Sequence, residues 1–259
     1  MSVKDRFLHY LGVDEKEADL AFLNELIAAH QSKVRWETWT KFLDFEERKM
    51  KDLYLPSIEE YVDRVINTGT GGTCWTLAIG FHYLLKELGF KVDYLYMTPG
   101  HLCLQVELDQ PYYVDVGYCA PFFKAFPLHS SFEVCTDMEI FRYQVNGDEA
   151  LVERTPGPTK SLGMKPVTFE EMMGPLLDSH NWEEGFSFHS LRMFGYIDGV
   201  PYQLRENAIR RFKDQTHVEE ELTDEQMRYW IEERFGADYG VYLRAKEIYR
   251  KRKGPKESI

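Results

Sequence analysis

The stretch that decides the fold runs from Gly71 to Val116: GGTCWTLAIGFHYLLKELGF (71–90), KVDYLYM (91–97), HLCLQVEL (101–108) and PYYVDV (111–116). In its first part Leu77, Phe81, Leu84, Leu85 and Leu88 recur on one face at helical spacing, and Gly89 supplies a stop. A buried helix is expected there, with Cys74 in its N-terminal turn. The hydrophobic period then changes to two. Short aromatic and β-branched runs, joined by Pro-Gly and Asp-Gln-Pro turns, predict a β-meander.

Upstream, residues 5–30 read as two helices, the second carrying Leu20, Leu23, Leu26 and Ile27 at helical spacing. Ser57 and Glu60, just after Pro56, resemble a capping-box start to another helix. Downstream, SFEVC, EIFRYQV and ALVERT extend the strand-rich segment to about residue 155. The Pro/Gly-rich TPGPTKSLGMKP follows, and residues 168–178 read as helical. FSFHSLRMFGYIDGVPYQLREN reads as a hairpin pair, Thr223 and Gln226 open a last amphipathic helix, and the basic YRKRKGPKE reads as a solvated end.

A chain of 259 residues has room for one large or two small domains, and 44% hydrophobic with 15% aromatic residues is enough apolar surface for a core. The formal net charge of −12 repels phosphate backbones and anionic lipid, so neither nucleic acid nor a membrane is an expected partner. The first residues, MSVKDRFLHYLGVDEKEADL, carry acids and no apolar run of signal-peptide length. Cys74, Cys103, Cys119 and Cys135 lack CxxC spacing, and the histidines, His180 and His189 among them, are scattered. No metal site is expected, and a reduced, cytoplasmic protein is the simplest reading.

The unpaired N–H groups and dipole of a helix N-terminus favour a thiolate, so Cys74 is a candidate nucleophile. Gly71 and Gly72 let the backbone approach a ligand there. A buried cysteine is also a common small hydrophobe, so position by itself leaves both readings open. His101 opens a strand directly after Pro99-Gly100, and Asp115 stands near the end of the next strand. With an odd connection between them, Asp115 faces Cys103 and lies diagonal to His101; with an even one they point apart. On the shared face lie His101, Cys103, Gln105, Glu107, Tyr113 and Asp115, a polar side available to meet the helix that carries Cys74. Thiolate, imidazole and carboxylate are the parts of covalent acyl transfer. Taken singly, the pair could equally be a hydrogen-bonded strand histidine and a turn-closing aspartate.

At these residues the chain resembles the arylamine N-acetyltransferases. That family carries an RGGxC(aromatic)E pattern, met here by Thr70-Gly71-Gly72-Thr73-Cys74-Trp75-Thr76, and a VDVGFG-type segment, met by Val114-Asp115-Val116-Gly117-Tyr118-Cys119. Its VPFEN segment resembles Val34-Arg35-Trp36-Glu37-Thr38, and FLHYLG (7–12) and ERFG (233–236) look like its ends. The resemblance implies an α+β fold: a helical bundle (1–89), a central antiparallel β-barrel (90–190) and a C-terminal α/β lid (191–259) around a papain-like cysteine-enzyme core. It implies ping-pong transfer of an acetyl group from acetyl-CoA, through a cysteine thioester, to an arylamine or hydrazine. Cys74 becomes the nucleophile, His101 the base and then acid, and Asp115 the orienter of the imidazole. Trp36, Tyr118 and Phe122 match pocket aromatics, although core packing explains them equally well. The expected partners are a CoA thioester and a small amine, with the protein a monomer or homodimer.

The chain departs from that pattern at Thr70, Thr76 and Ala78, where the family has Arg, Glu and Asn. Glu37 then needs a donor other than the missing arginine, or solvent. Cys119 stands where a glycine is usual. Two other readings fit the same residues: a transglutaminase- or peptidase-like amide hydrolase, and a catalytically silent binding relative.

Overall fold

The computed structural model describes residues 1–48, 54–118 and 122–253, so Cys119 and the end of the basic tail lie outside the described residues. The first helices form where the chain caps them. Ser2 and Asp5 make a capping box at α1 (Val3–Leu11), and the Asp19 carboxylate accepts the Phe22 N–H at the start of α2 (Leu20–Lys33). The short strand β1 (Trp36–Glu37) and helix α3 (Trp39–Arg48) follow. Ser57 caps α4 (Ile58–Thr68) by accepting the Glu60 N–H. Glu60 does not close the capping box: its carboxylate takes bonds from the Tyr54 hydroxyl and the Arg64 guanidinium. Helix α5 (Cys74–Glu87) begins at Cys74, as its hydrophobic spacing predicts. Phe7, Leu23, Leu26, Val62, Phe81, Leu84 and Leu85 are fully or almost fully buried between α1, α2, α4 and α5.

An eight-stranded antiparallel sheet curls into a nearly closed barrel: β2 (Lys91–Thr98), β3 (His101–Glu107), β4 (Pro111–Val114), β5 (Phe126–Pro127), β6 (Phe132–Cys135), β7 (Ile140–Asn146), β8 (Glu149–Thr155) and β9 (Lys160–Gly163), in the order β5-β4-β3-β2-β9-β8-β7-β6. The two edges meet through side chains, with Phe126 stacked on Phe132 at 4.1 Å between ring centroids. Leu104 lies opposite Val114 and Glu107 opposite Pro111, so the connection Leu108-Asp109-Gln110 is odd, and His101 and Asp115 share a face. That face corrects one expectation. It is the apolar side, Leu102, Leu104, Val106, Val114 and Val116, that packs on the helices. Cys103 and Tyr113 turn into the barrel with Leu95, Met97, Phe141 and Tyr143. The hydrophobic effect explains the choice, because α5 presents Leu77, Phe81 and Leu84, and only an apolar sheet face can cover them without stranding polar groups.

After α6 (Met173–Ser179) a second, five-stranded antiparallel sheet forms, in the order β1-β10-β11-β12-β13, from β1 with β10 (Arg192–Ile197), β11 (Val200–Arg205), β12 (Ala208–Lys213) and β13 (Thr216–Glu221). Helices α7 (Asp224–Tyr229), opened by the Thr223–Gln226 capping box, and α8 (Tyr239–Lys253) pack with it and with α3. Trp39, Phe42, Phe188, Met193, Ile231, Tyr242 and Ala245 fill this core. Strands β9, β12 and β13 and helix α8 go beyond the elements read from the sequence. So does the basic end: Arg250–Lys253 belong to α8, and the Arg252 guanidinium donates to the carbonyls of Phe188 and Trp182.

Candidate active site

The loop before Cys74 is strapped to β1. The Gly71 N–H donates to the Arg35 carbonyl (3.2 Å) and the Glu37 N–H to the Gly72 carbonyl (2.9 Å). A Cβ at Gly71 would sit 2.5 Å from the Arg35 oxygen, which only glycine tolerates. Glu37, fully buried, closes the strap from below: it accepts the Gly72 N–H (2.7 Å), the Thr40 N–H (2.9 Å) and the Thr40 hydroxyl (2.6 Å). Burial raises its pKa and these bonds oppose the rise. The donors that stand in place of an arginine are therefore neutral groups, at the start of α3 and in the loop before α5. The other departures are absorbed locally. Thr70 pairs its hydroxyl with that of Thr68 (2.7 Å), Thr76 donates to the Thr73 carbonyl (3.0 Å), and Ala78 is buried in the helical core.

Cys74 is partly exposed at the first turn of α5, where Thr73 makes no side-chain cap and leaves the helix N-terminus open. Against it lies the turn after β4. A Cβ on Gly117 would come within 2.8 Å of the Cys74 Cβ, so this glycine is what allows the two segments to touch. The same turn carries Asp115, whose buried carboxylate accepts from His101 Nε2 (2.8 Å), the Tyr113 hydroxyl (2.7 Å), and the N–H groups of Gly117 (2.9 Å) and Tyr118 (3.2 Å). The Cys74 thiol lies next to this pair, its Sγ 3.9 Å from the Gly100 carbonyl just before His101, and sulfur and imidazole influence each other's charge.

Electrostatics at the three groups favours charge separation. Burial works against a charged His101, but the Asp115 carboxylate and the Cys74 sulfur outweigh it and raise its pKa to about 9. Burial likewise works against a thiolate at Cys74, but His101, then Lys41 and the Leu102 N–H, bring its pKa below the ordinary thiol value. Cys103, buried inside the barrel, is pushed well above that value, chiefly by burial. The chain thus separates one activated thiol from an inert one.

Of the expected aromatics, Tyr118 stacks on the His101 ring with centroids 3.9 Å apart, and the Arg154 guanidinium lies over the Tyr118 ring, 4.1 Å from its centre. Phe122 packs inside the barrel against Phe141 (4.6 Å). Trp36 sits on β1, buried, with the Arg192 guanidinium 5.7 Å from its ring. The structure therefore brings Tyr118 to the three groups, and puts Phe122 and Trp36 in neighbouring cores. Two lysines escaped the sequence reading. Lys41 and Lys160 both feel the charge of Cys74, and both are held below the ordinary lysine pKa, first by burial, Lys41 at about 8. A lysine on an amphipathic helix gives no sequence signal that it will be buried. Among the described residues no group of three or more His, Cys, Asp or Glu could hold a metal ion, and no helix is long and apolar enough to cross a membrane.

Fold and site together define an α+β enzyme built around a buried thiol–imidazole–carboxylate arrangement. A family model described as N-acetyltransferase matches residues 19–159, over half of the chain. The chain belongs to that N-acetyltransferase family. Among solved structures, it is similar to the arylamine N-acetyltransferase of Mycobacterium marinum (17% identity, TM-score 0.78, covering 96% of this chain and 98% of that one). It is likewise similar to that of Salmonella typhimurium (16%, 0.78, 95% and 98%). A third, from Bacillus cereus, described as having a unique Cys-His-Glu catalytic triad, matches at 16% identity and TM-score 0.70 over 90% of this chain and 97% of that one. Identities this low carry the fold. No curated protein sequence matches the chain.

Proposed function

We propose that this protein transfers an acetyl group from acetyl-CoA, through a thioester on Cys74, to an arylamine or hydrazine. The observation that carries the reading is the buried His101–Asp115 bond of 2.8 Å, next to a thiol at a helix N-terminus whose pKa the imidazole lowers. A Mycobacterium marinum relative of the same fold has been solved in complex with CoA.

In the first half-reaction the Cys74 thiolate attacks the carbonyl carbon of the acyl donor. The C–S bond to CoA breaks, and the His101 imidazolium returns a proton to the leaving thiolate. In the second, the amine attacks the Cys74 thioester. His101 takes a proton from the attacking nitrogen, Cys74 leaves as thiolate, and the resting ion pair is restored. Asp115 fixes the imidazole's orientation and stabilises its charged form throughout. Tyr118, stacked on His101, is the aromatic placed to form a wall of the acceptor site, while Trp36 and Phe122 act through the packing of the cores beside it. A nucleophile that must stay reduced, together with the free thiols of Cys103 and Cys135, fits a cytoplasmic enzyme.

Acetyl-CoA alone, without acceptor, should leave one acetyl group on the peptide that contains Cys74, read by intact mass and peptide mapping. Cys74→Ser should carry none and should release no CoA. An unmodified wild-type protein, or an acetyl group that survives Cys74→Ser, overturns the assignment. Turnover of an amide without CoA would instead favour the hydrolase reading.

A further inference from the structure

Tyr118, buried beside the three groups, is held at its backbone, its tip and both faces of its ring. Its N–H donates to the Asp115 carboxylate (3.2 Å) and its hydroxyl to the Met97 sulfur (3.0 Å). The centre of its ring lies 3.9 Å from that of the His101 imidazole and 4.1 Å from the Arg154 guanidinium carbon. One face of a six-membered ring accommodates one flat group at such a distance, so imidazole and guanidinium take opposite faces. Arg154 is itself locked. Its side chain, on β8, gives Nε (2.8 Å) and Nη2 (2.6 Å) to the buried Glu139 carboxylate, a two-pronged charged contact that fixes the guanidinium plane. Glu139 is held in turn: its N–H donates to the Thr136 hydroxyl (3.1 Å), and the same turn accepts the Gln215 N–H from the β12–β13 connection at the Asp137 carbonyl (2.9 Å). Glu139, Arg154, Tyr118, His101 and Asp115 thus form one continuous stack with a buried carboxylate at each end.

The Glu139–Arg154 pair is neutral in sum, but its positive end is the one that lies on Tyr118. The other groups around the imidazole are Asp115, with the Tyr113 hydroxyl on it, the Cys74 sulfur with Lys41 and Lys160 acting on that sulfur, and the Cys103 thiol, which burial keeps neutral. Asp115 and the sulfur hold the proton on His101, whereas a positive charge across the tyrosine ring pushes the other way. Acyl transfer needs both, since the imidazolium must form and must then return its proton to the leaving thiolate. We propose that Arg154, locked by Glu139, is a positioning residue for His101: stacked on the far face of Tyr118, it fixes the plane of the imidazole and eases release of its proton. The proposal rests on the acyl-transfer reading for what the proton does, but the placement of the charge can be tested without turnover.

In the full chain labelled with 13Cε1-histidine, the His101 signal is the one of eight that disappears in His101→Gln, and its shift is followed against pH. Arg154→Met should raise the His101 midpoint, and Glu139→Gln, which leaves the guanidinium without its counter-charge, should lower it. Each shift should be about half a pH unit or more, as expected for a charge inside the Debye length in partly desolvated surroundings. Loosened packing would move both midpoints the same way, so opposite signs separate charge from structure. Midpoints that move together, or that stay in place, overturn the proposal. If circular dichroism shows that a single variant fails to fold, the double variant Glu139→Gln/Arg154→Met leaves no lone buried charge. It should still raise the midpoint, because the lost positive end is the nearer one, and an unchanged midpoint overturns the proposal. Arg154→Lys keeps the charge and loses the flat stack. Its midpoint should stay near that of the wild type, while the low-field Nε2–H signal of the His101–Asp115 bond broadens through solvent exchange; a signal as sharp as that of the wild type overturns the fixing of the ring. A wild type that forms no acetyl-enzyme counts against the acyl-transfer reading alone, and the midpoints still decide what Arg154 does.

Discussion

At His101 burial opposes the positive charge, and the Asp115 carboxylate with the Cys74 sulfur wins, which leaves the imidazole protonated up to about pH 9. The sign of the pH dependence follows. Formation of the acetyl-enzyme should decline as pH rises through about 9, because the leaving CoA thiolate then finds no proton on His101, a change that stopped-flow release of CoA would follow. Asp115→Asn removes the carboxylate that favours the imidazolium. It should lower acetyl transfer by about 10²–10⁴-fold, by analogy with triad aspartates elsewhere. It should also move the alkylation profile of Cys74 toward higher pH, and a profile that stays in place would count against Asp115 as the orienter. Glu37 works by geometry: Glu37→Gln leaves one acceptor oxygen where the carboxylate has two. Stranding a buried N–H there costs about 1–3 kcal/mol, visible in chemical denaturation. That Glu37 needed a donor could be read from Thr70. That Thr40 and Gly72 supply it depends on a loop and a helix start meeting in space.

Helix α5 and the β2–β4 meander follow from hydrophobic periods of 3.6 and 2 and from Gly89 and Pro99-Gly100, all local signals. Strand β9 carries no such signal. It is four residues long and sits inside a Pro/Gly-rich stretch, and it exists because it pairs β2 on one side and β8 on the other. Strand β13, THVEEE, is exposed along its whole length, so alternation cannot mark it, and it is held by the backbone ladder to β12. The contact between α5 and the turn after β4 leads to a sharp prediction. Gly117→Ala should push the Asp115 turn off Cys74, at a cost of about 1–3 kcal/mol for overpacking, and should slow alkylation and acetylation of Cys74. Preserved activity in that variant would mean that the turn can retreat without disturbing the site.

For the molecule as a whole, one half-buried guanidinium joins distant segments. Arg35 donates to the carbonyls of Ser32 (2.9 Å), Tyr196 (3.3 Å) and Phe235 (3.2 Å), so the end of α2, strand β10 and the turn before α8 are tied at one point. Arg35→Met should destabilise the fold by about 2 kcal/mol, since hydrogen bonds from a charged donor are lost and two partly buried carbonyls lose a partner. Thermal unfolding would measure it, and an unchanged Tm would show that the layers do not depend on this tie. The sequence by itself determined the types and order of the main elements, and the succession of helix-start cysteine, strand histidine and strand aspartate. Periodicity, capping and turn chemistry act over a few residues, and the 14 positions between His101 and Asp115 are a single hairpin. Only the tertiary structure decided which sheet face covers α5, how Glu37 finds hydrogen-bond donors without an arginine, and that Lys41 is buried against Ser179. Those outcomes depend on groups far apart in the chain, such as Lys41 and Ser179, separated by 138 positions. Their burial and pairing arise when the layers pack, and no local pattern encodes them.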